Sequence, residues 1–311
     1  SSLYRSLRRL EKLGDNIEMY PAHGAGSLCG KSLSSKLSST IGTEKLQNSA
    51  MLKHPEEEFI RSFLEEMPEA PDHFSRCSEI NRRGAPAVSK LPKPSGYSPK
   101  EFLKLSRTGH IVVDTRDQLA FGAAHVPGAY GLSLKGNFAT FSGWVLPPDK
   151  PILLVLNDMK DMPAVLKALY SVGLDNVVGY LSGGMAAYAA SGLETARLES
   201  ISVTEAKARY EEGEILLVDT RLKSEWDSGH IKCTIHIPAP DVRKKFRDLE
   251  CDKPVAFICN SGNRSLIAAS LMLNLSRAKN VINVIGGTTA WLSLGYPTVT
   301  GGAEECEIPV R

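Results

Sequence analysis

Three short patterns occur twice in this chain at nearly the same separation. Asp114-Thr115-Arg116 returns as Asp219-Thr220-Arg221, Ala124-His125-Val126 as Gly229-His230-Ile231, and Gly183-Gly184 as Gly286-Gly287. The interval is a little over one hundred residues, which is the size of a domain and too long for the unit of a solenoid. Two tandem α/β domains are therefore expected. Each copy opens with a helix-start signal, Ser98-Pro99-Lys100-Glu101 in the first and Ser202-Val203-Thr204-Glu205 in the second, with a capping serine three residues before a glutamate. The run Ile215-Leu216-Leu217-Val218-Asp219-Thr220-Arg221 reads as a buried parallel strand that delivers Asp219 and Arg221 to its C-terminal edge.

In the second copy the apolar run Pro254 to Ile258 gives way to Cys259-Asn260-Ser261-Gly262-Asn263-Arg264-Ser265, and then to Leu266-Ile267-Ala268-Ala269-Ser270-Leu271-Met272-Leu273-Asn274-Leu275. That order is a strand, a short polar loop and a buried helix. The loop's free N–H groups at the helix start would converge on the Cys259 sulfur, and partial positive charge there, with a nearby guanidinium, favours a thiolate. A buried structural cysteine is the competing reading, but such a residue gains nothing from a polar Asn-Ser-Gly-Asn-Arg collar. Only Asn260, Ser261, Gly262 and Asn263 separate Cys259 from Arg264. A loop that cradles a phosphate dianion needs a longer Cys-to-Arg spacing; this smaller ring suits a single sulfur atom.

At these residues the chain resembles the rhodanese family, whose single-domain members carry a Cys-x-x-Gly-x-Arg-Ser loop. The resemblance extends to Gly229-His230-Ile231, Pro238, Val284-Ile285-Gly286-Gly287, Ala290-Trp291 and Gly295-Tyr296-Pro297, and covers about residues 95 to 300. It implies two domains, each a central parallel sheet flanked by helices, and sulfur transfer through a persulfide on Cys259. Asn260, Ser261, Gly262, Asn263 and Arg264 would bind the sulfur or its anionic donor. Asp219, Arg221, Glu225 and His230 would support the loop through hydrogen bonds and ion pairs. Cys233 departs from the pattern, standing where the family has a glycine; it reads as a small buried residue, with a second thiol near the site as the alternative.

The first copy lacks the thiol. Aligning Lys150-Pro151 with Lys253-Pro254 puts Leu156 opposite Cys259, and the following Asn157-Asp158-Met159-Lys160-Asp161 has no glycine and two carboxylates. This domain is expected to be catalytically silent, with a packing or docking role.

The first stretch is of another kind. Tyr20-Pro21-Ala22-His23-Gly24 through Gly30, then Ser39 to Glu44 and Asn48, then an amphipathic helix from Pro55 to Met67, resemble the C-terminal part of a metallo-β-lactamase-fold hydrolase of the persulfide dioxygenase and glyoxalase II branch. The resemblance makes His23 a metal ligand if the remaining ligands are supplied by an N-terminal portion. A mononuclear site needs three or four ligands, and no His-x-His-x-Asp-His motif is present. An iron or zinc ion is thus expected only in a complete domain, and sulfur transfer needs no cofactor. The start at Ser1-Ser2-Leu3 implies a fragment of a longer fusion. The expected organisation is a partial α+β segment at 1–80, a linker at 81–94 within the Pro-rich stretch from Glu69, a silent rhodanese-like domain at 95–197 and an active-type one at 198–311.

Composition limits the partners. With 37 Lys and Arg against 35 Asp and Glu, the formal charge of +2 leaves no footprint for nucleic acid. The basic stretch Arg5 to Lys12 reads as a solvated helix face, and no run is long and apolar enough to cross a membrane. Cysteines 29, 77, 233, 251, 259 and 306 form no metal-ligand spacing and no evident disulfide framework. The expectation is a cytoplasmic sulfurtransferase that takes a small anionic donor and a thiol, sulfite or cyanide acceptor, and associates through its incomplete first domain. The alternatives are a docking or sulfide-sensing module, or part of a bifunctional persulfide dioxygenase and sulfurtransferase.

Overall fold

The computed structural model describes residues 1–23, 36–52, 55–65, 72–249, 252–276 and 280–301, and the chain divides after Ala70 into two compact units. In the first, α1 (Ser2–Leu10), the antiparallel pair β1 (Glu18–Met19) and β2 (Ser39–Thr40), α2 (Ile41–Gln47) and α3 (Glu56–Glu65) contribute a small core of Ile41, Met51 and Phe59. Thr40 caps α2 by accepting the N–H of Thr43 at 3.2 Å. The basic stretch at Arg5 forms most of α1, where Arg8 pairs with Glu11 at 2.8 Å and donates to the Met51 carbonyl at 3.2 Å.

The second unit opens with α4 (Asp72–Arg83). The first copy then runs β3 (Ser95–Tyr97), α5 (Pro99–Ser106), β4 (Ile111–Asp114), α6 (Gln118–Ala123), β5 (Tyr130–Gly131), α7 (Phe138–Val145), β6 (Ile152–Val155), α8 (Met162–Ser171), β7 (Val177–Leu181) and α9 (Gly184–Ala190). The second copy repeats the order: β8 (Glu199–Ile201), α10 (Val203–Glu211), β9 (Leu216–Asp219), α11 (Lys223–Ser228), β10 (Ile235–His236), α12 (Val242–Lys245), β11 (Val255–Ile258), α13 (Asn263–Leu275), β12 (Val281–Val284) and α14 (Gly287–Ser293). The sheets are both parallel, ordered β3-β7-β6-β4-β5 and β10-β9-β11-β12-β8. Their central strands are buried on both faces, which is why Ile152–Val155 and Val255–Ile258 are apolar without alternation. Both predicted helix starts are used, in complementary halves: Glu101 accepts the Ser98 N–H at 3.0 Å, while Ser202 accepts the Glu205 N–H at 3.2 Å.

Helix α13 joins the copies. Every residue from Ser265 to Met272 is buried, and a helix without a solvent face must be covered all round. Strands β11 and β12 cover one side; α12 and β5 of the other sheet cover the rest. Gly131 on β5 lies so near Leu266 that a Cβ there would stand 3.0 Å from that side chain, and Asn274 donates to the Ala129 carbonyl at 3.4 Å. Phe121, Leu132 and Phe138 of the first copy and Phe257, Leu266 and Leu271 of the second belong to one apolar core. A smaller core with Leu217, Ile258 and Trp291 fills the far side of the second sheet.

The first segment was expected to run to residue 80 and to be followed by a linker at 81–94. The unit boundary falls near 70, and α4 packs on the first rhodanese-like copy: Arg76 donates to the Val172 carbonyl at 2.8 Å, and the His73 ring fills the space left by Gly143 on α7. Proline and charge in the sequence suggested a linker because the contacts α4 makes are with residues far along the chain. Residues 81–90 are exposed throughout.

A shared core predicts shared unfolding. Leu266→Ala should cost about 2–5 kcal/mol, and hydrogen exchange followed by mass spectrometry should show protection lost together in β4–β6 and β9–β12. Loss confined to the second sheet would mean that the copies are energetically independent.

Candidate active site

Duplication separates scaffold from chemistry. In the second copy Arg221 lies along the Asp219 carboxylate, with Nη2 to Oδ2 at 2.6 Å, and donates to the Gly229 carbonyl at 2.8 Å. In the first, Arg116 makes the same bonds to Asp114 at 2.6 Å and to the Ala124 carbonyl at 2.7 Å. His230 Nδ1 bonds the Trp226 carbonyl and stacks on the Trp226 ring; His125 does the same with Phe121. Each histidine also bridges the chain leaving its own domain, at Val299 and Ala196. The bonds of Asp219, Arg221 and His230 are thus reproduced in a copy that has no thiol, where they join the strand edge to the following helix. Burial pulls the His125 pKa down against opposing contributions from the Phe121 carbonyl and Asp114, consistent with a neutral core imidazole.

What differs is confined to one loop and its neighbours. Strand registers pair Asp219 with Ile258 and Asp114 with Val155, so Cys259 and Leu156 are equivalent. Cys259 is 1% exposed and directly follows β11. Its Sγ accepts the Gly262 N–H at 3.1 Å and the Ser265 hydroxyl at 3.5 Å. Gly262 adopts φ +101°, a left-handed conformation that suits glycine, and opens α13. The loop backbone is docked onto α14: Thr288 and Thr289 donate their N–H groups to the Cys259 and Asn260 carbonyls at 2.7 and 3.0 Å. A Cβ on Gly287 would stand 2.1 Å from the Cys259 carbonyl oxygen, so only glycine permits this approach. In the first copy the same approach is relaxed, since a Cβ added to Gly184 would stand 3.9 Å from the Leu156 carbonyl oxygen.

The other expected site residues take distinct places. Asn260 and Ser261 are exposed, and the Asn260 side chain accepts from Thr289 Oγ1 at 3.0 Å; Asn263 begins α13. Arg264 forms a two-pronged pair with Glu225, one contact at 2.7 Å. Burial opposes the charged guanidinium, but the hydrogen bonds it donates to Glu225 and the electrostatic contributions of Cys259, Glu225 and Asp219 outweigh it and raise the Arg264 pKa. Glu225, set in the supporting group with Asp219, therefore differs from it: its counterpart in the first copy is Ala120, and it belongs with the reactive loop. Ser265, Thr288 and Thr289 were not among the expected site residues, although Ser265 lay within the motif. In the silent loop Asp158 accepts the Lys160 N–H at 2.9 Å and pairs with its ammonium at 3.0 Å.

Cys233 needs correction. It is disulfide-bonded, to a partner outside the described residues, and is neither a second thiol nor an unpaired small residue. The absence of regular spacing in the sequence carried no information on this pairing, because chain separation does not report spatial proximity. Cys233 also has φ +61°, while its counterpart Gly128 has φ +81°, which explains on backbone grounds why glycine suits this turn. Cys77 and Cys259 are free. His23 is exposed, and among the described residues no three His, Cys, Asp or Glu side chains are grouped to hold a metal; the described residues do not fit a metal centre there. No helix among the described residues is long and apolar enough to cross a membrane.

Comparison with known proteins matches the rhodanese-like domain to residues 98–191 and 202–294. The chain is 34% identical over 95 residues to the "Putative sulfur carrier protein YrkF" of Bacillus subtilis, covering 30% of this chain and 51% of that one. It is 33% identical over 95 residues to the "Putative sulfurtransferase YtwF" of the same organism, covering 30% and 90%. Among solved structures, a metallo-β-lactamase from Staphylococcus aureus is similar with a TM-score of 0.46 and 29% identity, over 57% of this chain and 48% of that one. The chain thus spans about half the length of the first of these curated relatives.

Burial works to raise the Glu225 pKa, but the Arg264 hydrogen bond, the Leu222 N–H and the charges of Arg264 and Arg221 prevail and lower it. A carboxylate held below its ordinary range contributes stability above that range and loses it as the pH falls through the lowered value. Allowing for screening at a side chain 34% exposed, Glu225→Gln should cost about 1–2 kcal/mol at neutral pH. Urea unfolding across pH should show the gap to wild type closing below about pH 4; a gap independent of pH would deny the charge a role.

Proposed function

The chain belongs to the rhodanese-like domain family, and on that premise we propose that its second rhodanese-like domain is a sulfurtransferase working through a Cys259 persulfide. The observation that carries this is a sulfur at the start of a buried helix, with the Gly262 N–H 3.1 Å from Sγ, in a loop whose backbone is fixed by α14. The Cys259 thiolate attacks the outer sulfur of thiosulfate or a low-molecular-weight persulfide. A sulfur–sulfur bond forms at Cys259 as the donor's own breaks, and sulfite or a thiolate leaves with the electron pair. A thiol, sulfite or cyanide acceptor then attacks the outer sulfur and returns the thiolate. The two half-reactions balance without a metal or redox cofactor.

Named residues divide the work. The Gly262 N–H and Ser265 hydroxyl stabilise negative charge on sulfur before and after transfer. Arg264, partly buried near Cys259 and anchored by Glu225, supplies positive potential to an incoming anion without having to be the group that grasps it. Burial of Cys259 favours small donors, since only the terminal sulfur has to reach Sγ. The first copy, with Leu156 for the nucleophile and Asp161 where Arg264 stands, has no counterpart of this chemistry.

Incubation with excess thiosulfate or glutathione persulfide, donor removal and intact-mass measurement should show a gain of one sulfur atom that is absent in Cys259→Ser. No gain from either donor would move the domain to a docking or sensing role.

A further inference from the structure

The domain without a thiol reaches into the loop of the domain that has one. Gln118 opens α6, where Asp117 fixes the backbone by accepting the Leu119 and Ala120 N–H groups at 3.0 and 2.9 Å. The Gln118 side chain extends across to the second copy. Its Nε2 donates to the Ser261 carbonyl at 3.4 Å, a long bond, and its Oε1 accepts from Asn283 Nδ2 at 3.2 Å. The orientation of both amides follows from chemistry: a carbonyl can only accept, so the nitrogen of Gln118 faces Ser261, its oxygen faces Asn283, and Asn283 must offer its nitrogen. Asn283 is fully buried on β12 among Val281, Ile282 and Val284, and its Oδ1 has no partner. A buried amide in an apolar strand is costly unless bonded, and Gln118 supplies the bond.

The Ser261 carbonyl and the Gly262 N–H belong to one peptide group. In a trans peptide they point in opposite directions. Holding the carbonyl from outside the loop therefore aims the N–H inward, at Cys259 Sγ 3.1 Å away. Glycine at φ +101° leaves this peptide with little intrinsic preference to resist rotation. The Gln118 amide also lies against the Gly262 Cα, where an added Cβ would meet Oε1 at 2.0 Å.

We propose that Gln118 is a positioning residue: contributed by the silent domain, it orients the Ser261–Gly262 peptide so that its N–H stabilises the sulfur carried by Cys259. The catalytic importance of that orientation rests on the sulfur-transfer reading; the geometric claim does not. The test uses Gln118→Met, which keeps length and removes both polar contacts, and Gln118→Ala as a second variant should the larger side chain disturb packing. Expected are a modest fall in the unfolding midpoint as buried Asn283 loses its bond, exchange of the Gly262 amide measured by NMR that quickens beyond any change shared by the other amides of the domain, and sulfur loading from thiosulfate slowed about tenfold through kcat with KM unchanged. Wild-type loading with both measurements unchanged in the variants would overturn the inference and leave sulfur transfer standing. Exchange that rises uniformly over the domain would also overturn it, by making the contact merely structural. Failure of the wild-type protein to load would defeat the sulfur-transfer reading instead, and the Gly262 exchange rate would still decide whether Gln118 holds the peptide.

Discussion

Helix α13 has no side that can face water, and most of the architecture follows from that. Its N-terminus ends the cysteine loop, one flank rests on its own sheet, and the remaining surface needs a cover. Part of that cover is α12 of the same copy, and the rest comes from β5 of the neighbouring copy, where Gly131 admits Leu266. A domain that has lost its nucleophile thus keeps a physical task. It completes the core around the helix that presents the reactive sulfur, and that seating brings α6 to the outside of the loop.

The two copies form an internal comparison. Asp-x-Arg, the histidine stacked on an aromatic ring and the return bridge are retained bond for bond, so their purpose is independent of sulfur. Cys259, Gly262, Arg264, Glu225 and the tight approach of Gly287 occur in one copy alone, and they are spatially contiguous. The Arg264 pair with Glu225 shows why the distinction matters: read from sequence, Glu225 fell among the scaffold residues because it lies between Arg221 and His230, yet its salt bridge is to Arg264, which follows the cysteine loop.

Two features of the chain were not legible in the local sequence. Most of the segment from Asp72 to Arg83 was assigned to the first segment, but its His73 and Arg76 find partners on α7 and at the end of α8, about seventy and one hundred residues onward. Cys233 gives no sign in its spacing of being paired, and is disulfide-bonded. For α4 the deciding contacts are distant along the chain, where local composition carries no information.

Periodicity, helix starts, the duplicated motifs and the strand–loop–helix order around Cys259 were legible in the amino acids because they are local: apolar runs dictate strands, Ser-x-x-Glu dictates caps, and glycine marks left-handed turns. The lack of a thiol in the first copy was equally legible, since Leu156 stands at the position equivalent to Cys259. Tertiary structure alone decided that the copies share one core, that Arg264 is anchored by Glu225, that the cysteine loop is docked on α14, and that Gln118 from the silent copy grips the peptide whose N–H meets the sulfur. Those outcomes depend on which surfaces are brought together when α13 is buried, and a side chain's partner across that interface is set by three-dimensional proximity that no local pattern encodes.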